Sequence, residues 1–549
     1  MLLKRSGRAL IVSDVDVVWL QDPRPLFSGE LAGFENLKFA DLLASSDCLD
    51  PERDVREDGC FRTLIDRNTG VVVARNTTRT LAAMEEWRTR TSMAYSWETD
   101  QTAFDDMLRG RGRGHRFTMS PDARAAHFRH KLAWCGYPSD TLEADTMGTV
   151  SAIAGMHIPG SRRLFDVCIT NVTRNLLFGI LPLLQVSNGH AFFIQQLQLQ
   201  SGVWPMAVQA TYQFGDEADC AFGKRERLRE WGLWREPPET PSSNDQFGRS
   251  QPGQADMLGY FLVLHDTKPL PPSAPWVGEV DWHARGRQHV DHVNAFLKRL
   301  SAGIALARVL NRTVVLPAMW CYCVKHWARL SQCTVGEQAR PTQPLPFKCP
   351  MDHLLNIANW HGGWGQRKAR NRKCALPPRA DGPPADGFPY RVSAWLRRAH
   401  ASPELHRSQA SLVADSNALA STYPGSFAKS INASWPLHRK FHNIAAHGQL
   451  FEHGPVLTLP SRSSDVEIRR ALSTARLGQI RMLHVSLDDA VSMLGCVTRA
   501  DITALFQTLL KSRWCFRPEE MKEPRQIEEN RTIDVCVWGF DLPQAPASC

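Results

Sequence analysis

No apolar run in this chain reaches the roughly 18 residues that a membrane-spanning helix needs. The longest, Leu176–Val186, is shorter and is interrupted by Pro182. Nothing like a secretory signal stands at Met1–Arg8, so an anchor is expected only in sequence outside these residues. Lys and Arg are not gathered into a block with interleaved aromatics, which argues against nucleic acid as a partner. Arg109–Gly114, an Arg/Gly alternation, reads as a solvated loop, and the net charge of +9 is modest for 549 residues. Paired Cys-x2-Cys knuckles are missing too. Cys321, Cys323, Cys333 and Cys349 are therefore read as disulfide partners rather than zinc ligands, and His115, His127 and His130 have no metal-ligand spacing. With 43% hydrophobic and 22% charged residues, disorder is excluded as well.

What is present points to a folded chain of two or more domains. Fourteen cysteines and sequons at Asn76, Asn171, Asn311, Asn432 and Asn530 lean towards an oxidising, lumenal setting. Cys48 and Cys60 are a candidate bridge. The most informative stretch is Ala9–Leu20, apolar except for Ser13, Asp14 and Asp16. It predicts a single strand buried on both faces. Alternate residues of a strand share a side, so Asp14 and Asp16 are expected to emerge together. Two buried carboxylates need a cation or hydrogen-bond donors. A divalent Mg²⁺ or Mn²⁺ carrying a diphosphate is one answer; a strand end whose acids cap a neighbouring helix is the other.

Asn68–Ala74 predicts a second buried strand, entered through Gly70, where a backbone can approach a ligand closely. Thr78–Arg90 predicts a helix with Leu81, Met84 and Trp87 on one face. A second helix opens near Asp100-Gln101, with Thr99 as its N-cap. Residues 140–177 lack pattern and read as an insertion. Pro205–Tyr212 predicts a strand, and Gly223–Trp231 a basic helix start at which Lys224 and backbone amides suit a phosphate. Pro- and Ser-rich residues 236–277 mark a boundary. Beyond it, Tyr260–Leu264, a helix over His289–Leu310 and Thr313–Pro317 predict a strand–helix–strand unit. Ile480–Val485 and Ile533–Trp538 read as further strands. Capping boxes begin at Ser486 and Thr498. The expected division is a first domain over 1–235, a linker region over 236–277 and an α/β domain over 278–549.

In this order the motifs resemble the plant and algal nucleotide-diphospho-sugar transferases of glycosyltransferase family 77, extensin arabinosyltransferases above all. The resemblance rests on Val12–Pro23, Asn68-Thr69-Gly70, Asp100-Gln101, Gly179–Pro182, Asn188-Gly189-His190, Thr211–Phe214 with Gly223-Lys224-Arg225, and, further on, Leu310–Pro317, Trp320-Cys321 and Cys349–His353. It implies a GT-A, Rossmann-like fold, N-terminally incomplete here because strand–turn–helix units would have to precede residue 1. It implies a UDP-sugar donor, Mn²⁺ (or Mg²⁺) held by Asp14 and Asp16, donor-sugar contacts from Gly70 and from Asp100 and Gln101 as catalytic residues, and Lys224 at the diphosphate. Where the family carries a histidine as a further metal ligand this chain has Gln209, with Asp216, Glu217 and Asp219 nearby. The resemblance further implies a retaining transfer of arabinofuranose onto arabinosylated hydroxyproline of cell-wall glycoproteins, in the Golgi lumen, by a type II membrane protein when full length. No nucleophile is assigned.

Two other readings compete. A haloacid-dehalogenase-type phosphatase also places Asp-x-Asp after an apolar strand, and Asp105-Asp106 would be its second acid pair. A non-catalytic relative binding glycans or partners is favoured by Gln209 and opposed by Asp14, Asp16, Asp100 and Lys224.

Overall fold

The computed structural model describes residues 2–49, 51–55, 67–92, 99–108, 155–157, 163–167, 175–213, 222–234, 260–266, 282–321, 347–355, 390–392, 409–419, 456–472 and 480–496, with the single positions Ile169, Ile357, Trp360 and Trp395. The described residues fall into two compact units that divide between Tyr212 and Gln213.

The first unit is mixed α/β. Strands β1 (Leu10–Ser13) and β2 (Val17–Trp19) open it, followed by β3 (Leu42–Ser46), β4 (Arg67–Ala74), β5 (Gly155–His157), β6 (Leu164–Val167) and β7 (Leu176–Ile180), then β8 (Val186–Ser187) and β9 (Ala207–Gln209). One six-stranded sheet runs β1-β4-β3-β7-β6-β5, and a three-stranded sheet runs β2-β9-β8. Within the large sheet β3 and β7 are parallel and the other neighbours antiparallel. β4 is buried along its whole length. Its alternation splits the core in two. Val72 and Ala74 face a cluster with Phe104, Met107 and Phe178, against which Leu81, Met84 and Trp87 of the helix Thr78–Ser92 pack. Val71 and Val73 face Leu26, Leu37, Met206 and Ala207.

Three expectations are corrected here. Ala9–Leu20 is not one strand buried on both faces. It is two strands of two different sheets, joined by a turn at Val15-Asp16, and β1 is partly exposed at its sheet's edge. Residues 140–177, read as patternless, hold β5, β6 and the start of β7, which complete the large sheet. β3, in the middle of that sheet, lies between Pro23 and Asn68, where the sequence predicts no strand. Ser45 and Ser46 cut its apolar run to Leu42-Leu43-Ala44, too short to stand out.

The second unit opens with the helix Phe222–Glu230. It continues with β10 (Phe261–His265), the long helix Trp282–Val309, β11 (Thr313–Val315), β12 (Met319–Cys321), β13 (Phe347–Cys349), β14 (Tyr390–Arg391), β15 (Gln409–Leu419), β16 (Val456–Ser461), β17 (Ser463–Ser464), β18 (Met482–Ser486) and β19 (Leu494–Cys496). Six strands form a sheet in the order β14-β11-β10-β18-β15-β16, parallel at every pairing. The predicted strand–helix–strand over 260–317 is therefore a parallel crossover in an α/β sheet. Ser486 caps its helix, accepting from the Asp489 amide at 2.9 Å. Cys321 and Cys349 form a disulfide joining β12 to β13. Cys48 is also disulfide-bonded. Cys60, Cys323, Cys333, Thr498 and Ile533–Trp538 lie outside the described residues. So do Asp216, Glu217, Asp219 and the three histidines of 115–130. No helix among the described residues is long and apolar enough to cross a membrane.

The expected first boundary, after residue 235, falls later than the division of the compact units. The helix Phe222–Glu230 is tied to 351–354 by a fully buried ion pair, Arg227 Nη2 to Asp352 Oδ2 at 3.0 Å. It therefore belongs to the second unit.

Candidate active site

The turn carrying the two aspartates is set by backbone bonds. The Val17 amide donates to the Asp14 carbonyl at 3.2 Å, and the Asp14 amide donates to the Gly70 carbonyl at 2.9 Å. The Ala210 amide donates to the Asp16 carbonyl at 3.1 Å, continuing the register in which Val17 opposes Gln209. Asp14 is exposed and Asp16 half-buried. With water in reach, the two carboxylates do not by their burial demand a cation. What the turn provides instead is two anionic oxygen donors presented to solvent, where β1 hands over to β2.

Gln209 does reach this turn. Its Nε2 donates to Asp14 Oδ2 at 3.2 Å, so the amide turns its nitrogen, not its oxygen, to the carboxylate. Gly70 lies directly beneath it. A Cβ on Gly70 would stand 2.1 Å from Gln209 Nε2, so the close approach read from this glycine is filled by the protein's own side chain. Among the described residues no three His, Cys, Asp or Glu side chains converge to hold a metal ion. The two aspartates remain a chemically suitable pair for Mg²⁺ or Mn²⁺, which take one or two carboxylates and complete their coordination with phosphate oxygens and water.

Gln101 joins the same cluster, while Asp100 stays exposed on the first turn of the helix Asp100–Leu108. Thr99 caps this helix as expected, its Oγ1 accepting from the Thr102 amide at 3.1 Å. Gln101 Nε2 donates to Asp47 Oδ2 at 3.0 Å, and Gln101 Oε1 accepts from the Thr69 amide at 3.4 Å. Asn68 mirrors it: Nδ2 donates to Asp47 Oδ1 at 2.7 Å, and Oδ1 accepts from the Gly70 amide at 2.6 Å. Asp47 is the residue that sequence reasoning missed. Its one signal was a carboxylate just past an apolar triplet, at the carboxyl end of a strand, where α/β sheets present their ligands.

The motifs Asn188-Gly189-His190 and Thr211-Tyr212 brace this cluster. Asn188 Nδ2 donates to the carbonyls of Ser46 and Cys48, at 3.3 and 2.7 Å. Tyr212 Oη donates to the Asp47 carbonyl at 3.0 Å. The Gly189 amide donates to Thr211 Oγ1 at 2.9 Å, and a Cβ on Gly189 would sit 2.1 Å from the Thr211 carbonyl oxygen. Lys224, expected at the diphosphate, lies half-buried on the helix Phe222–Glu230 of the second unit. The rival acid pair is engaged elsewhere. Asp105 is fully buried against Arg67, Nη1 to Oδ1 at 3.1 Å, and offers no carboxylate to a phosphoryl group.

Residues 2–228 match the nucleotide-diphospho-sugar transferase family. Over this span the chain is similar to that family. The matched span takes in every element around Asp14, Asp47 and Gln101 and ends within the helix bearing Lys224. The chain is also 27% identical over 352 residues to arabinosyltransferase XEG113 of Arabidopsis thaliana, covering 64% of this chain and 42% of that protein. It thus spans less than half the length of the relative it matches. No solved structure matches it significantly.

Proposed function

We propose that this chain is a glycosyltransferase that draws a sugar from a nucleoside-diphosphate donor, with the Asp14–Asp16 turn facing the diphosphate and Gln101 facing the sugar. The observation that carries this is the convergence of Asp14, Gly70, Gln209, Asn68 and Gln101, from four separate stretches of the transferase span, on one hydrogen-bonded cluster. Arabinofuranose from UDP-arabinofuranose is the proposed donor sugar, and arabinosylated hydroxyproline of a cell-wall glycoprotein in the Golgi lumen the proposed acceptor. The arabinose follows from the likeness to an arabinosyltransferase, and the acceptor and compartment from the family that the motifs resemble. A divalent ion bound at Asp14 and Asp16 would neutralise charge on the departing diphosphate. The chain's own part is to present the two carboxylates on a fixed turn and to hold Gln101 against the floor formed by Thr69 and Gly70.

The test is release and transfer of arabinose from UDP-arabinofuranose with Mn²⁺ present. Asp16→Asn is expected to lower kcat/KM by two orders of magnitude or so, the scale seen when one electrostatic contact at a reacting centre is lost. Unchanged turnover in Asp16→Asn would remove the carboxylate pair from the mechanism. A wild-type protein that binds a glycopeptide yet turns over no donor would favour the non-catalytic reading, to which the Gln209–Asp14 contact lends support.

A further inference from the structure

We infer that Asp47 is a positioning residue of the transferase site. It sets the orientation of the Asn68 and Gln101 amides and, through them, the Thr69–Gly70 backbone on which the Asp14 turn rests. This inference builds on the proposed transferase reading.

The geometry is directional. A side-chain amide has one donating and one accepting end. Both carboxylate oxygens of Asp47 face donating ends, Asn68 Nδ2 at 2.7 Å and Gln101 Nε2 at 3.0 Å. An ionised carboxylate can only accept, so neither amide can turn over without presenting oxygen to oxygen. That fixes the two amide oxygens on the backbone amides of Gly70 and Thr69. The Gly70 carbonyl in turn accepts from the Asp14 amide. One half-buried carboxylate thus orders a chain of contacts running from Gln101 to the Asp-x-Asp turn. Bonds to an ionised acceptor are about twice as strong as neutral ones, so this is the strongest restraint on the two amides.

Holding its own loop is not what the carboxylate is for. The backbone around Asp47 is secured independently, by Asn188 at the Ser46 and Cys48 carbonyls and by Tyr212 at the carbonyl of Asp47 itself. Removing the charge leaves these backbone bonds in place and weakens the hold on the two amides, of which Asn68 keeps the Ser45 hydroxyl on its Oδ1 at 3.3 Å.

The exchange of partners supplies the test. In Asp47→Asn, an amide nitrogen faces one of the two donors, so Asn68 or Gln101 must turn and put its own nitrogen against a backbone N–H. In the double variant Asp47→Asn with Asn68→Asp every contact can re-form. The new amide oxygen accepts from Gln101, its nitrogen donates to the new carboxylate, and that carboxylate accepts from the Gly70 amide. Two readouts apply: kcat and KM for sugar release from UDP-arabinofuranose with Mn²⁺, and hydrogen exchange at the Thr69 and Gly70 amides.

The expected result for Asp47→Asn is a fall in kcat of about 10- to 100-fold, the usual cost of losing a supporting contact, a smaller change in KM, and faster exchange at both amides. The double variant is expected to restore both readouts. Wild-type kcat and exchange in Asp47→Asn overturn the inference. So does a double variant that restores exchange but not kcat, which would make Asp47 a residue that touches the substrate. If the wild-type protein turns over no donor, the transferase reading fails, and the exchange rates alone decide whether Asp47 orders the segment. If the single variant does not fold, a double variant with wild-type kcat and exchange supports the inference and one lacking either overturns it.

Discussion

Gln209 shows how much one side chain decides at this site. Its amide nitrogen lies 3.2 Å from Asp14 Oδ2, a neutral donor occupying the space beside the carboxylate pair. An imidazole there offers a neutral nitrogen ligand, whereas the amide nitrogen that Gln209 turns to Asp14 cannot coordinate. Gln209→His is accordingly expected to tighten Mn²⁺ binding by an order of magnitude or so, within the range for a ligand-shell change. Calorimetric titration of Mn²⁺ into both proteins checks this, and equal affinities would remove position 209 from the metal question. The absent Cβ at Gly70 is part of the same arrangement, because only a glycine leaves room for the side chain above it.

At the scale of the element, the helix Asp100–Leu108 links core to site. Its apolar face buries Phe104, whose ring lies 4.7 Å from that of Trp87 and 6.1 Å from that of Phe178. Its first turn carries Gln101, pointing the other way to Asp47 and Thr69. Phe104→Ala is expected to cost about 3–5 kcal/mol of stability and to loosen Gln101 with it. Denaturant unfolding followed by tryptophan fluorescence measures the first effect, and a loss well under 1 kcal/mol would mean the helix does not depend on this contact. The helix, its cap and its apolar face were legible in the sequence, because capping and 3.6-residue periodicity are local signals. β3 was not, since its two serines are buried by neighbours far along the chain.

On the scale of the whole molecule, the second unit carries a polar interior of its own. Glu226, Arg227 and Asp352 are fully buried, and the Tyr390 hydroxyl donates to Glu226 Oε2 at 2.7 Å. Burial, with the charges of Glu226 and Asp352 adding to it, holds the Glu230 carboxyl well above its ordinary value of 4.5, and burial likewise raises the Tyr390 hydroxyl. The folded chain therefore keeps a proton on Glu230 that the unfolded chain releases above about 4.5. Stability from this group is present below 4.5 and is lost as pH rises through the raised folded value. Glu230→Gln should flatten that decline, since Gln keeps an oxygen for the Met351 amide, which donates to Glu230 at 2.6 Å. Melting temperatures from mildly acidic to mildly alkaline buffer test it. Parallel pH profiles for the two proteins would show that Glu230 does not titrate anomalously.

The sequence by itself determined the chemistry on offer. The Asp-x-Asp pair, the fully buried β4 and the strand–helix–strand crossover of the second unit rest on residue types and spacings that local physics can read, while Asn68–Gly70 and Asp100-Gln101 stood out as site motifs through the family resemblance. Tertiary structure decided their arrangement. An apolar run encodes burial but not the partner that buries it. At Asp14–Asp16 the chain leaves β4 as partner and takes up β9, in another sheet, so a predicted buried strand became an exposed turn. The same non-local pairing brought Asp47, unremarkable in sequence, between two amides that lie 21 and 54 residues further along. It also placed the helix bearing Lys224 in the second compact unit, because Arg227 finds its buried counter-charge 125 residues away at Asp352.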